Sequence, residues 1–375
     1  MDDAKKLHDK YHIIQQIAKG DRACIYSAIN RIDGNMVALK TEMLTHADAK
    51  LRHEYKVYHM LAPSLGLPQI YYYRETSANR VMAMELLGLT LDDLFIRCNR
   101  SFSLVTTLRV AIQIISRLES LHEQHVIHRD VRPSNFCLGL DSRQDIIYCT
   151  NLSLAKKFRD VEKGINHIPM SSKRHKLKVP PLFSSINCML GLETSRRDDL
   201  ESLIYMIIYF VKGWLPWEKV DKSNKDAVLQ KKQNISIERL ADDLPKELKA
   251  FFKYIKKLEF EDRPDYDYMR VMLLDVLSKE ENNSSPPDWA SLIINRDKIV
   301  VGNRGIILKP AKHTKTNGIV NTSYQPRRPR TALDRYTLTI NYMLILTIIG
   351  IHILRKPSDA TTTSNFQRPS SAISR

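Results

Sequence analysis

His128-Arg129-Asp130-Val131-Arg132-Pro133-Ser134-Asn135 constrains this chain more than any other stretch. It follows a long apolar helical run and the short segment Val126-Ile127, and it precedes a second apolar segment, Phe136-Cys137-Leu138. Eight residues, six of them polar, between two core-seeking segments read as an exposed loop. An aspartate on such a loop, with an asparagine five residues on, suits phosphoryl transfer. The carboxylate takes a hydroxyl proton and the amide oxygen holds a metal. The same residues also make a plain turn in which Asp130 and Asn135 cap local backbone. The flanking chain has to decide between the two.

Before the loop, residues 11–41 alternate as strands do: Tyr11-His12-Ile13-Ile14, Cys24-Ile25-Tyr26-Ser27-Ala28 and Met36-Val37-Ala38-Leu39-Lys40. Lys40 ends the third apolar run, where a lysine reaches into a cleft. Residues 48–61 predict a helix with Leu51, Tyr55, Tyr58 and Leu61 on one face, and Glu54 can point from it toward Lys40. Such a Lys–Glu pair positions nucleotide phosphates; on a bare surface it is worth under about 1 kcal/mol. Residues 80–87 predict a strand running into Gly88. Residues 104–122 predict a long buried helix, 199–211 a central helix, and 246–277 two helices parted by residues 260–266. Strands first and helices after imply an α+β chain, a small mainly β lobe joined to a larger helical one.

Composition agrees with a globular body, at 43% hydrophobic residues. The five cysteines are scattered, odd in number and without CxxC spacing, which predicts reduced thiols, an intracellular (cytoplasmic or nuclear) setting and no zinc site. The net charge of +16 is uneven: from residue 291 onward there are 14 Lys/Arg against 3 Asp/Glu, leaving 44 against 39 before it. The basic excess belongs to the tail, and no specific nucleic-acid partner is predicted from it.

Several stretches carry a resemblance. Ser195-Arg196-Arg197-Asp198-Asp199-Leu200-Glu201-Ser202-Leu203, Met84-Glu85-Leu86-Leu87-Gly88, Ala155-Lys156-Lys157-Phe158-Arg159-Asp160, Ser185-Ile186-Asn187 and Leu215-Pro216-Trp217 occur in order. Together with the loop at 128–135 they resemble the casein kinase I family of eukaryotic serine/threonine protein kinases, from about residue 11 to 289. The resemblance implies the two-lobed protein kinase fold, ATP and Mg2+ as cofactors, and protein substrates or scaffold partners. It divides the chain into an N-lobe (1–87), a C-lobe (88–289), a basic linker (290–335), a candidate transmembrane helix (336–354) and a polar tail (355–375). Roles follow by resemblance. Asp130 is the catalytic base, with Arg132 two residues on. Lys40 meets the phosphates and pairs with Glu54. Met84 guards the adenine pocket, and Glu85 and Leu87 offer backbone bonds to the base. Gly20, Ile25, Ala38 and Cys137 line the nucleotide, Asn135 and Asn151 hold the metal, and Asp199 braces the loop.

The departures concern chemistry. Asn151-Leu152-Ser153 stands where the family has Asp-Phe-Gly. The missing carboxylate is the main anionic ligand for magnesium, a hard cation that favours carboxylate. Losing about 4 kcal/mol of barrier stabilisation costs roughly a thousandfold in rate. Arg132 replaces a lysine, Ser134 an aspartate, and Ala18 and Ala23 two loop glycines, leaving only Gly20 of three. Val179-Pro180-Pro181-Leu182-Phe183 replaces Gly-Thr-Ala-Arg-Tyr, so the anion-binding arginine is Leu182. Two functions therefore compete: a pseudokinase scaffold that binds nucleotide and partners, and an active serine/threonine kinase using Asp130. Asn151 discriminates them.

Beyond 295 no periodicity survives and disorder is expected. Residues 336–354 then give 19 residues without charge between Arg335 and Arg355-Lys356. As a helix they span about 28 Å, close to a bilayer's hydrocarbon thickness. A C-terminal membrane anchor with the kinase domain facing the cytosol, a partner-binding helix and a strand-like segment are all consistent with that run.

Overall fold

The computed structural model describes residues 10–45, 48–171, 179–221, 224–280, 284–293, 299–302 and 305–308. The first lobe is a five-stranded antiparallel sheet and one helix. Its elements are β1 (Tyr11–Lys19), β2 (Ala23–Asn30), β3 (Met36–Met43), α1 (Lys50–Leu61), β4 (Ile70–Glu75) and β5 (Asn79–Glu85), with sheet order β1-β2-β3-β5-β4. The alternation of side chains along a strand assigns the two faces. Val37 and Leu39 of β3, with Val81 and Ala83 of β5, close a small core with Tyr11 and Ala28. Ala38, Met82 and Met84 take the other face, toward α1 and the second lobe. Lys40 is in phase with Ala38, so period two delivers it to that same face. The strand runs on to Met43, three residues past Lys40, because Thr41 and Glu42 keep pairing with β5.

The second lobe is helical. α2 (Leu91–Arg97) starts at a capping box between Thr90 and Asp93, and α3 (Leu104–Glu123) starts at Ser103, whose hydroxyl accepts the Thr106 N–H. Short strands follow: β6 (Val126–Ile127), β7 (Phe136–Leu138), β8 (Ile147–Cys149) and β9 (Lys156–Lys157), pairing as β6–β9 and β7–β8. These pairs hold both ends of the 128–135 loop. Then come α4 (Ile186–Leu190), α5 (Arg196–Lys212), α6 (Lys225–Asn234), α7 (Ile237–Leu240), α8 (Lys246–Lys257), α9 (Tyr266–Lys279) and α10 (Ala290–Ile293). Every residue of α5 from Asp198 to Phe210 is buried, so it is the axis of the lobe.

Two differences from the sequence reading stand out. Ile70–Glu75 is a strand that shows no alternating burial pattern, since its tyrosines are amphipathic and sit half-buried. Residues 299–302 and 305–308, within the stretch read as disordered linker, instead pair as antiparallel strands alongside β1, β10 (Ile299–Gly302) with β11 (Gly305–Leu308). Ile299, Val300 and Val301 in one strand and Ile306 and Ile307 in the other favour the pairing. The candidate membrane segment 336–354 and the rest of the tail lie outside the described residues. Among the described residues no helix is long and apolar enough to cross a membrane.

Candidate active site

The loop predicted at 128–135 is built from α5. Asp199 accepts the backbone N–H of His128 at 2.7 Å and of Arg129 at 2.8 Å. Arg129 sits at φ 68°, a left-handed conformation costly for a residue with a side chain, and the two bonds hold it there. His122 of α3 supports the aspartate. Its Nε2–H donates to Asp199 over 2.9 Å while its Nδ1 accepts the Tyr266 hydroxyl at 2.5 Å. Burial holds the His122 imidazole below its ordinary pKa, so it stays neutral in this tautomer. Burial alone raises a carboxyl, but the hydrogen bonds from His122 and from the His128 backbone outweigh it and hold Asp199 below the usual range. His128 completes the brace: its Nδ1 accepts the Asp130 N–H at 3.2 Å, and its Nε2 lies 3.1 Å from the Thr150 carbonyl.

Around this frame the structure gathers the predicted polar residues into one connected chain. Lys40 Nζ donates to Glu54 Oε2 at 2.6 Å and to Asn151 Oδ1 at 3.3 Å. Asn151 Nδ2 donates to Asn135 Oδ1 at 3.1 Å. Asn135 Nδ2 donates to the Asp130 carbonyl at 2.7 Å and to Asp130 Oδ2 at 2.9 Å. Arg132 Nε lies 3.1 Å and 3.2 Å from the two Asp130 oxygens. The amide orientations follow from the partners. The Lys40 ammonium only donates, and the Asp130 oxygens that Asn135 meets only accept, so each amide points one way.

The predicted nucleotide-lining residues also converge. Ala38 pairs with Met84 across β3–β5, and Ile25 faces Lys40 across β2–β3. Cys137 bridges to Thr90 beneath them, and burial pushes its thiol up to about 12, so it is a neutral wall. The Glu85 carboxylate is turned from the cleft to Arg143 at 3.0 Å and to the Gln69 N–H at 3.2 Å. That leaves only its backbone, with that of Leu87 just beyond, for the role predicted of them. Gly20 lies in the tip joining β1 to β2, and a Cβ there would meet nothing closer than the Ala23 carbonyl at 3.6 Å. The fold itself does not demand a glycine at that point. The tip is tied to the start of α1 by an ion pair between Arg22 and Asp48.

Three contributors were missed by sequence reasoning. The Tyr58 hydroxyl accepts the Asn151 N–H at 3.1 Å, which holds Asn151 at φ 62°. Ser153 Oγ donates to Asn151 Oδ1 at 3.0 Å. Lys232 of α6 is buried, donates to the carbonyls of Pro181 at 2.8 Å and Ser184 at 2.5 Å, and lies over the rings of Tyr205 and Trp217 at 4.3 Å and 4.8 Å. A lysine in a polar helix reads as solvated; only the partner aromatics, far along the chain, betray it.

A small β lobe over a helical lobe, with a buried Lys–Glu pair facing an aspartate loop braced from a central helix, defines a protein kinase. The family model described as Protein kinase domain matches residues 11–272. Casein kinase I homolog 2 of Schizosaccharomyces pombe is 34% identical over 289 residues, covering 75% of this chain and 66% of that protein. The chain belongs to the protein kinase family and is casein kinase I-like. It spans just under two thirds of the length of that relative.

The family generally uses ATP and Mg2+. The apolar floor, the gatekeeper position and Lys40 fit a nucleotide. The metal set fits magnesium poorly: Asn135 and Asn151 offer neutral amides, and Asn135 Oδ1 already accepts the Asn151 amide N–H. Of the nearby carboxylates, Asp130 is taken by Arg132 and Asn135, and Glu54 is paired through one oxygen with Lys40.

Proposed function

We propose that this casein kinase I-like chain is a pseudokinase, a scaffold that binds nucleotide and protein partners and whose phosphotransfer is impaired. The observation that carries the reading is the bond from Asn151 Nδ2 to Asn135 Oδ1. A donor occupies the side of Asn135 at which the family's metal is held. Arg132 reinforces the reading by drawing its guanidinium onto Asp130, whose lone pairs a substrate hydroxyl would need. A second reading, an active serine/threonine kinase that transfers the ATP γ-phosphate with Asp130 as base, is favoured by the retained Lys40–Glu54 pair.

Transfer from labelled ATP to casein and to the chain itself, with Mg2+ or Mn2+, separates the two. The unmodified chain is expected to be inactive and Asn151→Asp to gain activity. Transfer by the unmodified chain that vanishes in Asp130→Asn overturns the pseudokinase reading. Membrane attachment through residues 336–354 is proposed on the sequence alone. Its test is resistance to carbonate extraction that disappears when those residues are deleted.

A further inference from the structure

The hydrogen bonds of the site close on themselves. Starting from Lys40, each polar atom in the line finds its complement: ammonium to Asn151 Oδ1, Asn151 Nδ2 to Asn135 Oδ1, and Asn135 Nδ2 to the Asp130 carbonyl and carboxylate. Ser153 and Tyr58 fasten the middle member, Ser153 through its side-chain oxygen and Tyr58 through its backbone. Burying polar groups is tolerated only when each is paired, and from Asn151 to Asp130 each amide has its partner, while Glu54 Oε1 beside Lys40 is left without one. An aspartate at 151 changes that. Its oxygen would face Asn135 Oδ1, acceptor against acceptor, and turning the Asn135 amide over would set its oxygen against the Asp130 oxygens instead. With a carboxylate at 151 the conflict is therefore moved by a flip and not removed; a cation between the oxygens removes it. With an amide at 151 the conflict never arises.

Two cations stand at the cleft, each against one carboxylate. Lys40 is held by Glu54 and Asn151, and Arg132 lies against the base. These two are placed to meet an anionic phosphate chain directly. On these grounds we infer that the site takes a nucleoside triphosphate without a divalent cation, the Asn151 amide holding Asn135 in the arrangement that a metal would otherwise impose. This rests on the pseudokinase reading above, and it goes further by naming the ligand as the metal-free nucleotide.

The test is ATP binding to the full chain, followed by thermal shift and by calorimetry, in EDTA and in Mg2+. For the unmodified chain the apparent Kd in EDTA is expected to stay within about threefold of that in Mg2+, a difference under about 0.7 kcal/mol. Asn151→Asp is expected to bind at least about tenfold more weakly in EDTA than in Mg2+. Circular dichroism of Asn151→Asp in both buffers separates loss of binding from loss of fold. Should that variant unfold in EDTA, Asn151→Ser, which removes the amide without adding charge, takes its place and is expected to weaken binding equally in both buffers. Binding by the unmodified chain that EDTA abolishes and Mg2+ restores overturns the inference while leaving impaired transfer intact. No ATP binding in either buffer overturns it too, together with the nucleotide half of the proposed function. Strong phosphotransfer by the unmodified chain overturns the pseudokinase reading, whatever the binding result.

Discussion

Asn151 Nδ2 donates to Asn135 Oδ1 over 3.1 Å, so the side chains between Lys40 and Asp130 meet as donor to acceptor throughout. Where two oxygens facing each other would demand a cation, an amide N–H and an oxygen demand nothing more. The backbone around it is held by other contacts. β6–β9 and β7–β8 still hold the loop, and Asp199 still anchors it from α5. One atom's change from oxygen to N–H is thus separable from the fold, because the scaffold's stability comes from burial elsewhere.

Stability of Asn151→Asp without divalent ions tests that separation. Acceptor facing acceptor in a buried site costs about 1–3 kcal/mol, which for a chain of this size is a fall in Tm of roughly 2–8 °C. Millimolar Mg2+ is expected to restore the variant and to leave the unmodified chain unmoved. Equal Tm values in EDTA for the two proteins would show that the 151–135 contact carries no energy.

Lys40 and Glu54 form a buried pair 2.6 Å apart, with Glu54 1% exposed. Such a pair is a weak source of net stability, but removing one partner strands the other. Lys40→Met is expected to destabilise the chain by about 3–5 kcal/mol. The double change Lys40→Met with Glu54→Leu is expected to recover most of that loss. Urea denaturation of the three proteins measures it, and a single variant as stable as the parent would mean that Glu54 finds water instead.

How much of this was legible beforehand depends on the range of the signal. Lys40 was, because period two within eight residues assigns its face. Asp130 and Asn135 were, because their loop lies between two apolar segments. α5 was, because its apolar run is too continuous for a surface helix. Tyr58 was placed on the correct face of α1, but as core. That its hydroxyl would reach the N–H of a residue 93 positions away is a property of packing. Asn151 was recognised by type, and the loss of charge was foreseen. Which way its amide would point was not, since Lys40, Ser153 and Asn135 impose that together. The strand pair 299–302 and 305–308 was missed because four-residue strands carry too short a pattern to stand out from a basic linker.

Asp199 answers three donors with two oxygens, those of His122, His128 and Arg129. Asn at this position keeps one oxygen and turns an N–H toward a donor. The left-handed Arg129 then loses part of what holds it. Asp199→Asn is expected to cost about 2–4 kcal/mol. It should also speed amide hydrogen exchange at residues 127–131 more than in α9, which is linked to Asp199 through Tyr266 and His122. Uniformly faster exchange would assign Asp199 a global role and not a loop-specific one.

Lys232 sets the shape of the segment facing Asp130. The carbonyls of Pro181 and Ser184 accept its amine, that of Leu182 accepts the Trp217 indole N–H at 2.8 Å, and that of Pro180 accepts the Ser184 hydroxyl at 2.8 Å. Two prolines contribute no N–H, so side chains supply the donors. Lys232→Met leaves two carbonyls unpaired and is expected to cost about 1–3 kcal/mol, with faster exchange in residues 182–186. Burial lowers the Lys232 pKa from 10.5 to about 7. Between those values the unfolded chain binds the proton and the folded chain does not, so stability rises with pH across that window and is flat below it. The difference in stability between the parent and Lys232→Met is therefore expected to grow from pH 7 to pH 10. A difference independent of pH over that range would show that the buried amine keeps its proton.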